Sequence, residues 1–124
     1  MPILSTFALP EAPAGLNLPG ETLFVAFISS DDAATKKPWC PDVRAAMPHI
    51  TSAFEPESQP TLAIAQSGTI PEWRNPANPF RTTWNVQNIP TLVRFQRIGG
   101  EIKETGRLVE SEILRKDLLE AFTK

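Results

Sequence analysis

The chain has 124 residues, 41% hydrophobic and 21% charged, so length and composition fit one soluble globular domain. Its formal net charge of -2, without any cluster of basic residues, gives no electrostatic basis for binding nucleic acid or an anionic membrane. One cysteine and one histidine exclude an internal disulfide framework and leave too few soft ligands for a zinc site.

The first twenty residues contain four prolines, which deny this stretch a helix. We therefore predict a proline-rich, irregular or partly extended arm over residues 1–20, followed by a domain over residues 21–124. The arm has no basic residue and no unbroken apolar run, so it does not resemble a targeting segment. No stretch of the chain reaches membrane-spanning length, and a single free thiol fits a reducing compartment. These features predict a cytoplasmic protein without membrane partners.

The first half of the domain reads as a strand followed by a helix. Residues Thr22–Ile28 form a short continuous apolar run, which is typical of a strand buried on both faces. From Asp42 onward, apolar residues recur at three- and four-residue steps and predict an amphipathic helix, with Val43, Ala46, Met47, Ile50 and Phe54 on its apolar face. We expect Pro48 to kink this helix rather than end it, because the apolar spacing continues beyond it.

The second half of the domain continues the alternation of strands and helices. A buried strand is predicted over Thr61–Gln66, followed by a long loop with a short helix over Phe80–Trp84. A second strand over Thr91–Ile98 turns at Gly99-Gly100 and forms a hairpin with residues 101–106. One amphipathic helix is predicted over residues 110–124. This order predicts an α/β fold with a central mixed sheet of four to five strands flanked by helices.

Cys40 stands at the start of the first predicted helix, in the stretch "KKPWCPDVRAAMP". Free amide groups and the positive end of the helix dipole stabilise a thiolate at such a position and raise its reactive fraction. Pro41 suits the first helical turn, and Trp39 can shield one side of the sulfur from water. Asp42 favours the helix dipole, yet its own negative charge opposes thiolate formation.

The alternative is that Cys40 is an inert thiol packed as a small hydrophobic residue. A cysteine protease or transferase would need an imidazole partner. His49 follows nine residues later, about 13 Å along a helix and about 180° around it from Cys40. That geometry excludes a Cys40–His49 dyad and leaves His49 as a surface or packing residue.

Several stretches carry a family resemblance. The motif "WCPDV", the proline eight residues after the cysteine, and "NIPTLVRF" resemble a thioredoxin fold. The extended loop in "FISSDDAATKKPWCPD", together with "EWRNPANPFR" and "GRLVESEILRKDLLEAF", is similar to the small cytosolic thioredoxin-related proteins, the thioredoxin domain-containing protein 17 group. That group has the motif W-C-P-D-C, and the resemblance covers roughly residues 22–122.

The resemblance implies roles for individual residues. Cys40 takes the position of the attacking cysteine, and Pro90 that of the proline that faces it across the site in a cis peptide bond. Ile89 then supplies the backbone that pairs with an extended substrate segment. For Pro90 the alternative is a simple strand-entry proline. Trp73 and Arg74 are candidates to border the site, with a packing role as the alternative for Trp73.

Val43 occupies the position of the resolving cysteine, which in a dithiol enzyme releases product from the mixed disulfide. Three functions remain open. In the first, Cys40 acts as a monothiol disulfide reductase or deglutathionylation enzyme, and glutathione or a thioredoxin-reductase-type reductant completes turnover. In the second, the chain is a redox-inactive binding module. In the third, Cys40 is a redox sensor. We expect disulfide-containing proteins or small disulfides as partners, with no cofactor and no metal.

Overall fold

A computed structural model describes residues 3–4, 7, 9–18 and 20–123 of the chain. These residues form a five-stranded sheet flanked by four helices. The strands are β1 (Ile3–Leu4), β2 (Thr22–Ile28), β3 (Thr61–Gln66), β4 (Thr91–Ile98) and β5 (Glu101–Val109). The helices are α1 (Pro41–Phe54), α2 (Ile70–Arg74), α3 (Pro79–Thr82) and α4 (Lys116–Phe122).

The sheet is mixed, with the strand order β1-β3-β2-β4-β5. Strands β1, β3 and β2 are parallel to one another, whereas β2–β4 and β4–β5 are antiparallel pairs. The β4–β5 turn places Gly99 and Gly100 at φ angles of 60° and 82°, which glycine adopts without a Cβ penalty. The predicted mixed sheet, including this hairpin, is therefore confirmed.

Helices cover both faces of the central strand, because side chains three residues apart on a strand point to opposite faces. Phe24 packs on one face against Phe54 of α1 and Phe122 of α4, with ring centroids 5.1 and 5.3 Å away. Phe27 points to the other face and packs edge-on against Phe80 of α3 at 5.0 Å. Aromatic contacts thus fix the helices on both sides of β2, and β2 lies at the centre of the core.

The strands predicted over Thr22–Ile28, Thr61–Gln66 and Thr91–Ile98 are confirmed with the same bounds. The first predicted helix is also confirmed: α1 runs from Pro41 to Phe54 and continues through Pro48. The predicted short helix over Phe80–Trp84 is present as α3, one residue earlier at its start and two residues earlier at its end.

The prediction of one helix over residues 110–124 is wrong within the described residues. The chain instead forms a 3₁₀ turn over Glu110–Glu112 and restarts as α4 after Arg115, whose backbone is extended. Ile113 is fully buried while the neighbouring Leu114 is 43% exposed, and Leu119 is buried. Ile113 and Leu119 lie six positions apart and would point away from each other on one helix, so the break allows both to face the core.

The described part of the predicted arm is packed on the domain rather than separate from it. Ile3 and Leu4 pair with Leu62 and Ala63 of β3. Leu16 and Leu18, which follow a 3₁₀ turn over Pro13–Gly15, are buried in the hydrophobic core. Within the described residues, every helix is too short or too polar to cross a bilayer.

Gly106 of β5 provides a test of the packing beneath α4. A Cβ at this position would lie 2.7 Å from Cε1 of Phe122 and 3.3 Å from the guanidinium of Arg94. Because both neighbours are packed, we expect Gly106→Ala to lower the free energy of unfolding by about 1–3 kcal/mol. Gly20→Ala is the matched control, since nothing lies within 4 Å of its Cβ position. Urea denaturation measures both, and equal stabilities of the two variants would contradict this packing.

Candidate active site

Cys40 is the residue that precedes the first turn of α1, in extended conformation, and it is 9% exposed. Helix α1 begins without a side chain that accepts a hydrogen bond from its first amides. Pro41 has no N–H, so the first free donors are the N–H groups of Asp42 and Val43. A side chain at this capping position normally accepts from those donors. A negative charge on Cys40 Sγ would therefore lie beside unused amide donors.

Two hydrogen bonds hold the Trp39-Cys40 turn against the strand ends. The Cys40 N–H donates to the buried Ser29 Oγ over 3.3 Å, directly after β2. The Trp39 indole Nε1–H donates to the carbonyl of Gly68, two residues after the end of β3, over 2.8 Å. Both anchors lie where parallel strands end at the same edge of the sheet. The indole is half-buried and forms one wall beside the sulfur.

The topology of the sheet brings Ile89 and Pro90 to Cys40. Strands β2 and β4 are antiparallel neighbours with Phe27 opposite Thr91, so the end of β2 and the start of β4 share one edge. Cys40 Sγ lies 3.9 Å from the Ile89 carbonyl oxygen, within hydrogen-bonding reach of a thiol. The Ile89–Pro90 peptide bond is cis. Among the described residues the Ile89 N–H has no hydrogen-bond partner, and it remains free to pair with an extended segment.

Cys40 opens into a surface groove of about 370 Å³. The groove is lined by Trp39, Cys40, Asp42, Trp73, Arg74, Arg81, Gln87, Asn88, Ile89 and Glu110. Six of the residues predicted from the motifs and the long loop therefore line one groove: Trp39, Cys40, Asp42, Trp73, Arg74 and Ile89. Val43 is fully buried on the core-facing side of α1 and does not line this groove. Pro90 is also buried and is not among the residues that line the groove.

A wall of the groove is built by α2 and α3. Trp73 is 8% exposed, and the Arg81 guanidinium stacks over its ring with Cζ 3.9 Å from the ring centroid. The Arg81 Nε–H also donates to the Trp73 carbonyl over 2.7 Å. Both roles considered for Trp73 are thus combined in the structure, because one indole is packed inward and also borders the groove.

The start of α2 is held by a reciprocal capping box. The Thr69 N–H donates to Glu72 Oε1 over 2.8 Å, and the Glu72 N–H donates to Thr69 Oγ1 over 3.5 Å. The backbone hydrogen bond from Thr69, and secondarily its hydroxyl, hold the pKa of the Glu72 carboxyl below its ordinary value. The capping box fixes the turn from which Trp73 enters the groove.

The remaining charged groups of the groove are acidic. Asp42 is exposed on the first turn of α1, and Glu110 is half-buried behind the loop that precedes β4. With its amide nitrogen oriented toward Glu110, Asn88 donates to Glu110 Oε1 over 3.1 Å. The groove therefore carries carboxylates from α1 and the end of β5, and guanidinium groups from α2 and α3.

Sequence reasoning missed Ser29, Arg81, Gln87, Asn88 and Glu110. Helix α2 was predicted as a loop, although Thr69 and Glu72 show the spacing of a capping box and Pro71 suits a first helical turn. That signal was present in the sequence and would have placed Trp73 on a helix. Arg81 follows Trp73 by eight positions across two helices, and no local pattern predicts that their side chains stack.

His49 is exposed on α1, as predicted for a surface residue. It does not line the groove around Cys40. The thiol therefore has no imidazole partner at this site within the described residues.

A family model and individual relatives match most of the chain. The family model described as "Thioredoxin domain-containing protein 17-like, thioredoxin domain" matches residues 13–124, and so begins within the predicted arm. A thioredoxin domain-containing protein of Schizosaccharomyces pombe is 36% identical over 102 residues, covering 82% of each chain. Thioredoxin domain-containing protein 17 of Homo sapiens is 35% identical over 102 residues, covering 82% of this chain and 76% of its own.

Solved structures agree with the fold. A thioredoxin of Trichomonas vaginalis superposes with a TM-score of 0.58 at 17% identity, over 99% of this chain and 98% of its own. A thioredoxin of Plasmodium falciparum superposes with a TM-score of 0.56 at 11% identity, over 84% and 70%. The fold is thus thioredoxin-like, and the sequence matches show that the chain belongs to the thioredoxin domain-containing protein 17 family.

Proposed function

We propose that this chain is a thiol–disulfide exchange protein in which Cys40 is the single attacking thiol. The observation that carries the proposal is the position of Cys40 Sγ. It lies at an uncapped helix N-terminus, 3.9 Å from the Ile89 carbonyl, at the floor of an open groove. Membership of a thioredoxin family supports disulfide-containing proteins as the general substrate class.

The reaction needs two exchange steps. In the first, the Cys40 thiolate attacks a sulfur of a mixed disulfide with glutathione and forms a Cys40–glutathione disulfide, while the substrate leaves as a thiolate and takes up a proton. In the second, the thiolate of another glutathione attacks that disulfide, releases the Cys40 thiolate and forms oxidised glutathione. The net reaction consumes one reduced glutathione and yields the reduced substrate and one oxidised glutathione, so the cycle balances without a second protein thiol.

Val43 explains why an external thiol is needed. Its side chain is fully buried in the core one turn below Cys40. Valine fills that position as a small apolar group, so the fold tolerates it while an internal resolving step is lost. A compartment rich in glutathione, such as the cytosol, supplies the missing reductant, and we place the protein there. The thioredoxin-reductase type of reductant is the alternative source of electrons.

Exposure to oxidised glutathione tests the first chemical step. We expect intact-protein mass spectrometry to show the addition of one glutathionyl group, and none on Cys40→Ser. Subsequent addition of excess reduced glutathione should restore the original mass. Coupled to glutathione reductase, the same protein should then turn over a glutathionylated peptide.

The outcomes of that experiment separate the three candidate functions. An adduct that forms and resolves without catalysing peptide turnover would identify a redox sensor. No adduct on the folded protein would contradict exchange chemistry and leave the groove beside Ile89 as a site for noncovalent binding.

Val43→Cys tests whether the rest of the site is intact. We expect oxidation to close a disulfide between Cys40 and the thiol introduced at position 43, seen as a loss of two hydrogens, and the reduced variant to reduce insulin faster than the unmodified chain. Ala46→Cys is the matched control, because it places a buried thiol one turn further along the same face of α1. If Val43→Cys formed no internal disulfide, or reduced insulin no faster than Ala46→Cys, the site would not support dithiol chemistry.

A further inference from the structure

We infer that Arg81 forms a carboxylate-binding subsite in the groove, and that substrates with a carboxylate beside their disulfide are preferred. This inference rests on the proposed exchange function of Cys40. It is carried by a different set of contacts, those of the Trp73–Arg81 stack.

The Arg81 guanidinium is held in place by two contacts. Its Cζ lies 3.9 Å from the centre of the Trp73 ring, and its Nε–H donates to the Trp73 carbonyl over 2.7 Å. Trp73 is itself buried and is held by the capped helix α2. A stacked guanidinium has little side-chain freedom left to lose when it binds an anion. Arg81 is therefore organised before a ligand arrives.

The hydrogen-bonding capacity of Arg81 is mostly unused. A guanidinium has five N–H donors, and only Nε–H has a partner within the described part of the chain. No ion pair is formed by Arg81 or its neighbour Arg74 among these residues. The two terminal nitrogens of Arg81 match the two oxygens of a carboxylate in a bidentate pair. The groove thus presents an unpaired, oriented fork in the same cleft as Cys40.

The acidic groups of the groove favour one orientation of a substrate that carries a carboxylate. Asp42 and Glu110 line the groove with Cys40, and neither forms an ion pair with Arg81. A substrate carboxylate gains free energy at the Trp73–Arg81 wall and loses it near these carboxylates. One orientation of an acidic substrate is therefore favoured over the reverse.

Two matched pairs of substrates test the subsite. The first pair consists of two short peptides that differ only in having Glu or Gln beside a cysteine. In both peptides that cysteine forms an activated mixed disulfide with a leaving group other than glutathione. The second pair is dithiodipropionate and hydroxyethyl disulfide, which distinguishes a small carboxylate from a peptide side chain. The measurement is the second-order rate constant for modification of Cys40 in a single turnover, which needs no resolving thiol.

We expect the Glu peptide to react about tenfold faster than the Gln peptide, the scale of one charge-assisted hydrogen-bonded pair. Arg81→Met should bring the Glu and Gln peptides to equal rates, and Arg81→Lys should retain part of the preference. Arg97→Met is the matched control, because Arg97 is exposed at the far end of β4 and does not line the groove. About 1 M sodium chloride should weaken the preference by screening.

The result that would overturn the subsite is equal rates within both substrate pairs in the unmodified chain, a comparison that requires no variant to fold. A preference shown by the small disulfides alone would assign the subsite to small carboxylates, and one shown by the peptides alone would assign it to acidic protein segments. Equal rates above that of a free thiol would refute the subsite while leaving the exchange function standing.

A failure of the exchange function is detected separately. Cys40 could react with neither peptide faster than a free thiol does. In that case, titration with analogues of both peptides that carry Ser in place of Cys decides whether the Arg81 subsite binds a carboxylate. Tighter binding of the Glu analogue, seen in the indole signal of Trp73 and lost in Arg81→Met, would support the subsite. Equal or undetectable binding of the two analogues would overturn it.

Discussion

The candidate site depends on the contact between the sulfur of Cys40 and the carbonyl oxygen of Ile89. Cys40 Sγ lies 3.9 Å from the Ile89 oxygen, although the two residues are 49 positions apart in the chain. They meet because β2 and β4 are antiparallel neighbours at the centre of the sheet, so the loop that leaves one and the loop that enters the other emerge at the same edge. The aromatic contacts of Phe24 and Phe27 pack helices on both faces of β2. The groove that this contact borders also contains Ile89, with its free N–H, and the stacked Arg81.

The fold and the chemistry of the site depend on different properties of position 43. For the fold, the position needs a small apolar side chain in the core, and Val43 provides it with full burial. For a dithiol cycle the same position needs a sulfur, which Val43 lacks. The domain can therefore keep the packing of a thioredoxin, and in the proposed function its exchange chemistry is reduced to one thiol. In that proposed cycle the thiol that resolves the mixed disulfide comes from outside the chain, so substrate and reductant use a single groove.

Much of this architecture is encoded in local sequence patterns. The apolar runs at Thr22–Ile28 and Thr61–Gln66 predict strands with the observed bounds, because strands buried on both faces need largely uninterrupted apolar residues. The strand character of Thr91–Ile98 likewise predicts β4 with its observed bounds. Trp39 and Cys40 before α1, with Pro41 as its first residue, predict that the thiol lies at the start of a helix. The break at Arg115 is not predictable from periodicity, because it depends on the core burying Ile113 and Leu119 together.

The same limit applies to the groove. Glu110 adopts a positive φ of 38° and lies beside Asn88 only after β4 and β5 have paired. The stacking of Arg81 on Trp73 likewise joins two short helices separated by a turn. These residues were missed because their proximity is set by tertiary packing, whereas the motif residues around Cys40 are adjacent in sequence.

The most direct test of the central claim is the rate at which Cys40 reacts with iodoacetamide at neutral pH. The reference is a peptide of residues 36–44, which carries the same neighbours without the helix and the sheet edge. Since Cys40 is the one cysteine in the chain, the modified site is unambiguous. We expect the folded protein to react faster than the peptide, although Cys40 is only 9% exposed, because Cys40 lies at the uncapped start of α1 and lines an open groove. A folded protein that reacts more slowly than the peptide would show a thiol protected by burial and would contradict the account.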